Sequence, residues 1–571
     1  MNSAELNLAV RPEELESRVK ENKVKKIRIG ILASSIEGFG DWELKIFNMI
    51  AKDERYAISA IILDGRPPEG AWVKARRKLK DGRFFSTLLY NMVMKVERGL
   101  FAKKVSQDVG PFHSVLDKVE IIEVFPTRRG YVDRFSAEDS QKIKALGLDV
   151  LLRHGFNIIK GDVLSSAKFG IWSFHHADNR VFRGSPAGFW EVYCKAPLTG
   201  VTLQILNAEL DGGAVIGRSF YNTKWNSTLN NEFILRKSSA LLMKALATLF
   251  ENRNITPENP CIYSGRLYRA PSITELAIYC FRVLAAVTLR VSEHAWDAVG
   301  CRKNMWSLFF GKGTVEQMPL WRTVEVKPNK GEYWADPFLL RRDGKLYVFF
   351  ENYVYAKQKG KISIGTWDGR NFTFLGDVLD LDYHVSFPFV FEDNGELYLM
   401  PEAHKSGRVA VWRCTNFPFE WHLCATALEG ASVADAVMFK RDGEWWLFAS
   451  TCNDPIVEHC SELYVYKIDG PLLRSVTPHK ANPVVVNSEF ARNGGRIFEK
   501  DGKLFRISQN NSNGIYGYGF NIMEIAELSL DAYSERPVQR VQPHFKKGLI
   551  GTHHLDFSGD VFAIDGCRRF G

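Results

Sequence analysis

The second half of the chain repeats one short pattern: an apolar strand, a tight polar turn ending in glycine, and a second apolar strand. It is seen in Ala335-Asp-Pro-Phe-Leu-Leu-Arg-Arg-Asp-Gly-Lys-Leu-Tyr-Val-Phe-Phe-Glu351, returns at 386–400, 434–448 and 493–507, and recurs in degenerate form at 554–564. Asp-Gly and Asn-Gly accept the positive φ that two-residue hairpin turns require. The turn glycines, at 344, 395, 443, 502 and 559, are separated by 51, 48, 59 and 57 residues. That period is the length of a propeller blade, and the spacing predicts an all-β five-bladed propeller over 321–571. In such a fold the start of each inner strand faces a central channel. The repeats therefore place Asp336, His384 or Ser386, Asp435, Arg492 and His553/His554 around one funnel, with Glu402 close by. Paired carboxylates there are suited to hydrolysing or transferring a sugar. The same acids could instead bind backbone amides and hold the blades together, or the funnel could bind sugar without reacting.

The first half has a different grammar. Short apolar runs at 26–33, 56–63, 118–125, 148–152, 170–174 and 197–206 alternate with turns and helical spacing, and a long amphipathic helix is predicted over 226–251. This order predicts an α/β domain of nucleotide-binding type. The turn Ala33-Ser-Ser-Ile-Glu-Gly-Phe-Gly40 is not a GxGxxG, so it supports the fold and not a dinucleotide. The richest polar stretch follows the strand at 170–174: His175, His176, Asp178, Asn179 and Arg180, then Arg183-Gly184. Side chains released at the end of a buried strand are a common way for an open α/β sheet to build a site. A polar loop that only satisfies its own backbone would read the same way.

Four pieces in order carry a resemblance: Ser173-Phe-His175, Arg183-Gly184, Thr199-Gly-Val-Thr202 and Leu210-Asp-Gly-Gly213. They resemble the formyltransferase family that uses 10-formyltetrahydrofolate, which includes sugar-nucleotide N-formyltransferases. The resemblance implies a Rossmann-like formyltransferase domain over 24–252 and one-carbon transfer from 10-formyltetrahydrofolate to an amine. It implies that His175 polarises the formyl oxygen, Asp211 orients His175 or relays protons, and Ser173 stands where the family has Asn. His176, Asp178, Asn179, Arg180 and Arg183 would bind substrate. The repeats, with Trp334-Ala-Asp-Pro-Phe338, resemble the N-terminal domain of plant glucosamine inositolphosphorylceramide transferases. Together these imply an N-formyltransferase acting on an amino-sugar nucleotide or carrier-linked glycan, with Asp336, Glu402, Asp435, Arg492 and His554 in a glycan-binding or glycan-processing channel. The alternatives are a glycosidase or glycosyltransferase working through the propeller, with a degenerate first domain, or a glycan-binding protein without chemistry.

The remaining features bound the setting. Residues 1–23 read as a polar extension without a secretory signal, and 253–320 as a helical linker. The helix at 273–297 contains Glu275, Arg282 and Arg290 and reads as a packed helix. Of a net charge of +9, residues 71–104 hold +8, with apolar residues interleaved. This basic helical insertion could lie on an anionic membrane surface or attract phosphorylated substrates. The nine scattered cysteines contain no CxxC, which points to a reducing compartment and no zinc site. The expectation is a cytoplasmic protein, peripheral at most to the inner membrane face, with no nucleic-acid partner and no metal.

Overall fold

The computed structural model describes residues 25–67, 84–102, 110–209, 212–298, 303–452 and 458–570. The first half is built on a seven-stranded sheet. Its strands are β1 (Ile27–Ala33), β2 (Tyr56–Asp64), β3 (Glu120–Val124), β4 (Val150–Arg153), β5 (Ile171–His175), β6 (Leu198–Ile205) and β7 (Ala214–Asn222). They lie in the order β7-β6-β5-β4-β1-β2-β3. Alternation sorts β1 between two cores: Ile29, Ile31 and Ala33 enter one cluster, and Leu32 joins Ile62 and Leu151 in the other. Helix α1 (Asp41–Lys52) packs beside the first of these. Helices α2 (Phe84–Phe101), α3 (Ser227–Asn252) and α4 (Ile273–Ala298) complete the part of the fold that matters below.

In the second half, four antiparallel sheets each come from one continuous segment. Their first strands are β9 (Glu332–Arg342), β10 (Ser386–Asp393), β11 (Val433–Arg441) and β12 (Asn493–Lys500). A further sheet combines β8 (Lys303–Lys312) with β13 (Leu555–Ser558) and β14 (Val561–Phe570). Each of the first four sheets opens on a hairpin whose turn residues both have positive φ: Asp343-Gly344, Asn394-Gly395, Asp442-Gly443 and Asp501-Gly502. The first strands pack on one another in turn, β9 on β10, β11 on β12, and β12 on β13, which returns to β9.

The expected fold class, a Rossmann-like α/β domain followed by a five-bladed propeller made of five successive units, is corrected by this topology. In the first half β5, β6 and β7 run antiparallel, so the sheet is mixed. A parallel partner requires a crossover helix, and only a short connection joins β6 to β7. In the second half the degenerate last unit supplies only the β13–β14 hairpin, whose free edge would be left unpaired. Residues 303–312 fill that edge by pairing with β14 along its length, Trp306 opposite Cys567. Many small sheets, unequal in strand number, replace the regular five-fold repeat.

The halves are joined by shared core. Helix α3, capped by the Asn226 side chain accepting from Leu229 N at 2.8 Å, is buried on most of its surface. One face lies on the first sheet, and Val486 of the second half enters the same cluster. Lys237 on α3 is buried and pairs with Glu462 at 2.6 Å and Glu458 at 3.2 Å. Removing one partner of a buried ion pair leaves uncompensated charge, which costs about 3–5 kcal/mol. Lys237→Ala is therefore expected to lower the thermal midpoint sharply, while Lys142→Ala, which breaks an exposed pair with Glu138, leaves it within about a degree. Differential scanning calorimetry on both variants checks this.

Candidate functional site

The polar stretch after β5 is held together by its own groups. His175 Nε2 lies 2.7 Å from Phe182 O, and buried Ser173 accepts a hydrogen bond from Arg153 Nη1 at 3.1 Å. Asp178 pairs with Arg180 at 2.8 Å, and Asn179 Oδ1 accepts from Arg218 at 2.9 Å. Arg183 donates to Asn179 O at 3.0 Å and to Glu209 at 3.1 Å. Thr202 Oγ1 donates to Ala177 O at 2.9 Å, and a Cβ on Gly200 would lie 2.6 Å from Asp178 N. The Thr-Gly-Val-Thr run is thus explained by a loop seated tightly on β6. His176 is packed between Phe174 and Trp42, and burial pushes its imidazole down to about 3. Asp211 lies outside the described residues, as do residues 71–83 and 103–104 of the basic stretch.

The second half brings its predicted residues closer together. Strands β9, β10 and β11 each carry a register shift near the start, with left-handed backbone at Asp336, Phe387 and Asp435. Such bulges re-aim side chains. They open onto a cavity of about 200 Å³ lined by Asp336, Glu351, Glu402, His404, Arg492 and His553, among others. Arg492 is the hub. Its Nε and Nη2 grip Asp435 at 2.6 and 3.2 Å, and Nη2 also reaches Glu402 Oε2 at 3.1 Å. Burial opposes that charge, but Asp435 and Glu402 hold the guanidinium firmly protonated.

The carboxyls diverge. Burial would raise Glu402, yet its bond from His404 Nδ1 at 2.7 Å and the Arg492 charge hold it well below the usual carboxylate range. Ser386, opposite Glu402 in register, adds a third bond at 3.2 Å. Glu351 occupies the same place in the preceding sheet, opposite Ala335. Burial, then the charges of Asp336 and Glu402, drive its carboxyl far above the ordinary value. Tyr333 donates to it at 3.1 Å. Burial also lifts Asp336 to about 6, against the pull of His553.

Asp336 has a structural duty as well, since its Oδ2 accepts from Phe387 N at 3.2 Å and so ties β9 to β10. His553 lies between Asp565, at 2.7 Å, and Asp336, at 3.4 Å. These three residues offer donor atoms within 4.8 Å of one another, enough for a cation. Asp565 and Asp336 also raise the affinity of that imidazole for a proton, against the effect of burial.

Of the predicted channel residues, Asp336, Glu402 and Arg492 line the cavity. Asp435 sits behind Arg492, and His554 is fully buried against the edges of Phe338 and Phe387. Glu351, Tyr333, His404, His459 and Asp565 are additions from the structure. Glu351 had a signal: Leu346-Tyr-Val-Phe-Phe-Glu351 and Leu397-Tyr-Leu-Met-Pro-Glu402 place their glutamates at the same step of the repeat.

Residues 322–558 match the family described as glucosamine inositolphosphorylceramide transferase 1, N-terminal. The chain is 32% identical to glucosamine inositolphosphorylceramide transferase 1 of Oryza sativa subsp. japonica, over 51% of this chain and 44% of that protein. The protein of the same name from Arabidopsis thaliana is 30% identical, over 51% and 43%. The chain therefore spans less than half the length of these curated relatives. The resemblance expected of the second half is borne out. Among solved structures, a glycinamide ribonucleotide transformylase from Symbiobacterium toebii is 15% identical with a TM-score of 0.28, covering 41% of this chain and 95% of that one. A family 117 glycoside hydrolase of Zobellia galactanivorans is 12% identical with a TM-score of 0.30, covering 47% and 91%.

The expected N-formyl transfer from 10-formyltetrahydrofolate is corrected by the relatives, which are named as transferases of a different kind. In the structure His175, Ser173, Asn179 and Arg183 are engaged with Phe182 O, Arg153, Arg218 and Glu209.

The packing role of His176 has a pH signature. Its folded affinity for protons is lowered, so between about pH 6.5 and 3 the unfolded chain binds more protons and stability falls as pH falls. His176→Phe is expected to reduce the loss of thermal midpoint between neutral pH and pH 5 without lowering the midpoint at neutral pH. An unchanged pH profile would mean that the imidazole is not held neutral by its burial.

Proposed function

We propose that the chain transfers a sugar at the acid cavity of its second half. The observation that carries this reading is the divergence of Glu351 and Glu402. One fold position, repeated in adjacent sheets, holds one carboxyl protonated and the other ionised. Two carboxyls pushed apart by their surroundings are suited to separate roles in glycosidic chemistry. Support also comes from relatives whose name joins a hexosamine to an inositol phospholipid.

In this reading Glu351 donates its proton to the leaving-group oxygen as the bond from that oxygen to the anomeric carbon breaks. The acceptor hydroxyl forms the new bond and loses its proton to His404 Nε2. The Glu402 carboxylate accepts from Nδ1 of His404, and in that tautomer of the neutral ring Nε2 is the nitrogen able to take the acceptor's proton. Glu402 also sets negative charge beside the developing oxocarbenium ion. Asp336, Glu351, Glu402, Asp435 and Asp565 outnumber Arg492 and His553, and this surplus of carboxyl groups suits the ammonium group of an amino sugar.

A second reading, glycan binding without chemistry, is favoured by one fact: Asp336 and Asp435 are already engaged with backbone and with Arg492. Transfer from amino-sugar nucleotides to inositol phospholipids separates the two. Glu351→Gln and His404→Ala are each expected to lower kcat by about 100-fold or more with little change in KM. Sugar binding by calorimetry without turnover in the unaltered chain would establish the second reading, and neither binding nor turnover would remove both.

A further inference from the structure

Away from the acid cavity, two neighbouring helices turn their apolar sides outward. On α2, Phe85, the pair Leu88 and Leu89, Met92, Val96 and Leu100 recur every three or four residues and form a single stripe. Phe85 is 74% exposed, Val96 63% and Leu100 70%. The opposite side of α2 is the packed one. There Met94 shares a cluster with Leu276 and Tyr279 of α4, and Glu97 accepts a hydrogen bond from Tyr279 at 2.6 Å. Helix α4 repeats the pattern, with Leu276 and Tyr279 inside and Phe281 73% and Leu284 65% exposed. Ile273, Val291 and Trp296 are exposed as well. The sequence-based reading of this helix as a packed helix thus holds for one of its sides. A surface helix of a globular protein turns such a stripe inward, and large exposed apolar patches mark interaction sites.

The charges beside these stripes have one sign. The exposed positions of α2 include Lys95 and Arg98, those of α4 include Arg282, and none holds Asp or Glu. The three acids of α4, Glu275, Glu293 and Asp297, are all half-buried, with Glu275 paired to Arg266 and Glu293 to Arg569. We propose that α2 and α4 form a face that docks on an anionic lipid bilayer. Apolar side chains would enter the acyl boundary while Lys95 and Arg98 meet lipid phosphates, and Arg282, whose guanidinium donates to Tyr193 O, adds positive charge beside them. A second copy of the chain is the poorer occupant, because it would set these cations against their own kind. The face lies on the bilayer and does not span it, since no helix among the described residues is long and apolar enough to cross a membrane. The proposal is independent of the sugar-transfer reading.

The test uses the full chain with vesicles of phosphatidylcholine, with and without phosphatidylglycerol. The chain is expected to sediment with the anionic vesicles, less so as salt rises. The double variant Phe85→Glu/Phe281→Glu is expected to weaken partitioning by about tenfold or more, and Lys95→Glu/Arg98→Glu to abolish the preference for anionic lipid. Unchanged melting of these variants shows that the exposed substitutions leave the fold intact. No sedimentation, or sedimentation indifferent to both variants, overturns the proposal. So does light scattering that finds a dimer in solution which the Phe85→Glu/Phe281→Glu variant dissolves.

Discussion

The second half depends on one buried guanidinium. Arg492 rises from the start of β12 into a space crowded with carboxyl groups, grips Asp435 with two nitrogens and shares one of them with Glu402. Without that cation, acids from different sheets would face each other in a medium that screens charge poorly. With it, Glu402 can remain ionised while Glu351, one sheet away and out of its reach, is driven toward the protonated form. The difference between two glutamates at one repeat position therefore comes from the His404 hydrogen bond to Glu402 and from where one arginine points.

The same bonds serve architecture and chemistry. Asp336 ties β9 to the amide of Phe387 and also lines the cavity, and Asp565 receives the amide of Asp336 while holding His553. Bulges with left-handed backbone at Asp336 and Asp435 are tolerated because these side chains are fixed by partners on neighbouring strands. The first half shows the opposite economy. Its polar loop satisfies itself through Arg153, Phe182, Arg218 and Thr202, and α3 then carries Lys237 across to Glu458 and Glu462, so the first half is welded to the sheets that hold the cavity.

Much of this was readable in one dimension. Each Asp-Gly or Asn-Gly turn marks a hairpin, and the turns from Asp343 to Gly502 all adopt the backbone their residue types favour. Glu351 could have been found beside Glu402 from the shared Leu-Tyr-x-x-x-Glu spacing. His554 was misleading, because its neighbour His553 takes the place in the cavity while His554 is buried under Phe338. The two histidines lie in the connection just before β13, and two in a row give no sign of which one faces in. The order of polar residues around His175 resembled a reaction centre, yet sequence cannot show that Arg153 comes to Ser173 or that Arg218 comes to Asn179.

The sequence by itself determined the local elements: alternating strands, glycine turns, an α/β first half and an apolar stripe on α2. These follow from side-chain periodicity and backbone preference, which act over a few residues. Only the tertiary structure decided that residues 303–312 complete a sheet begun at the far end of the chain, that β5 to β7 run antiparallel, and that Arg492 reaches Asp435 and Glu402. Edge pairing, strand direction and the partner of a buried charge are set by which distant groups must be satisfied together, and no short window of sequence contains that condition.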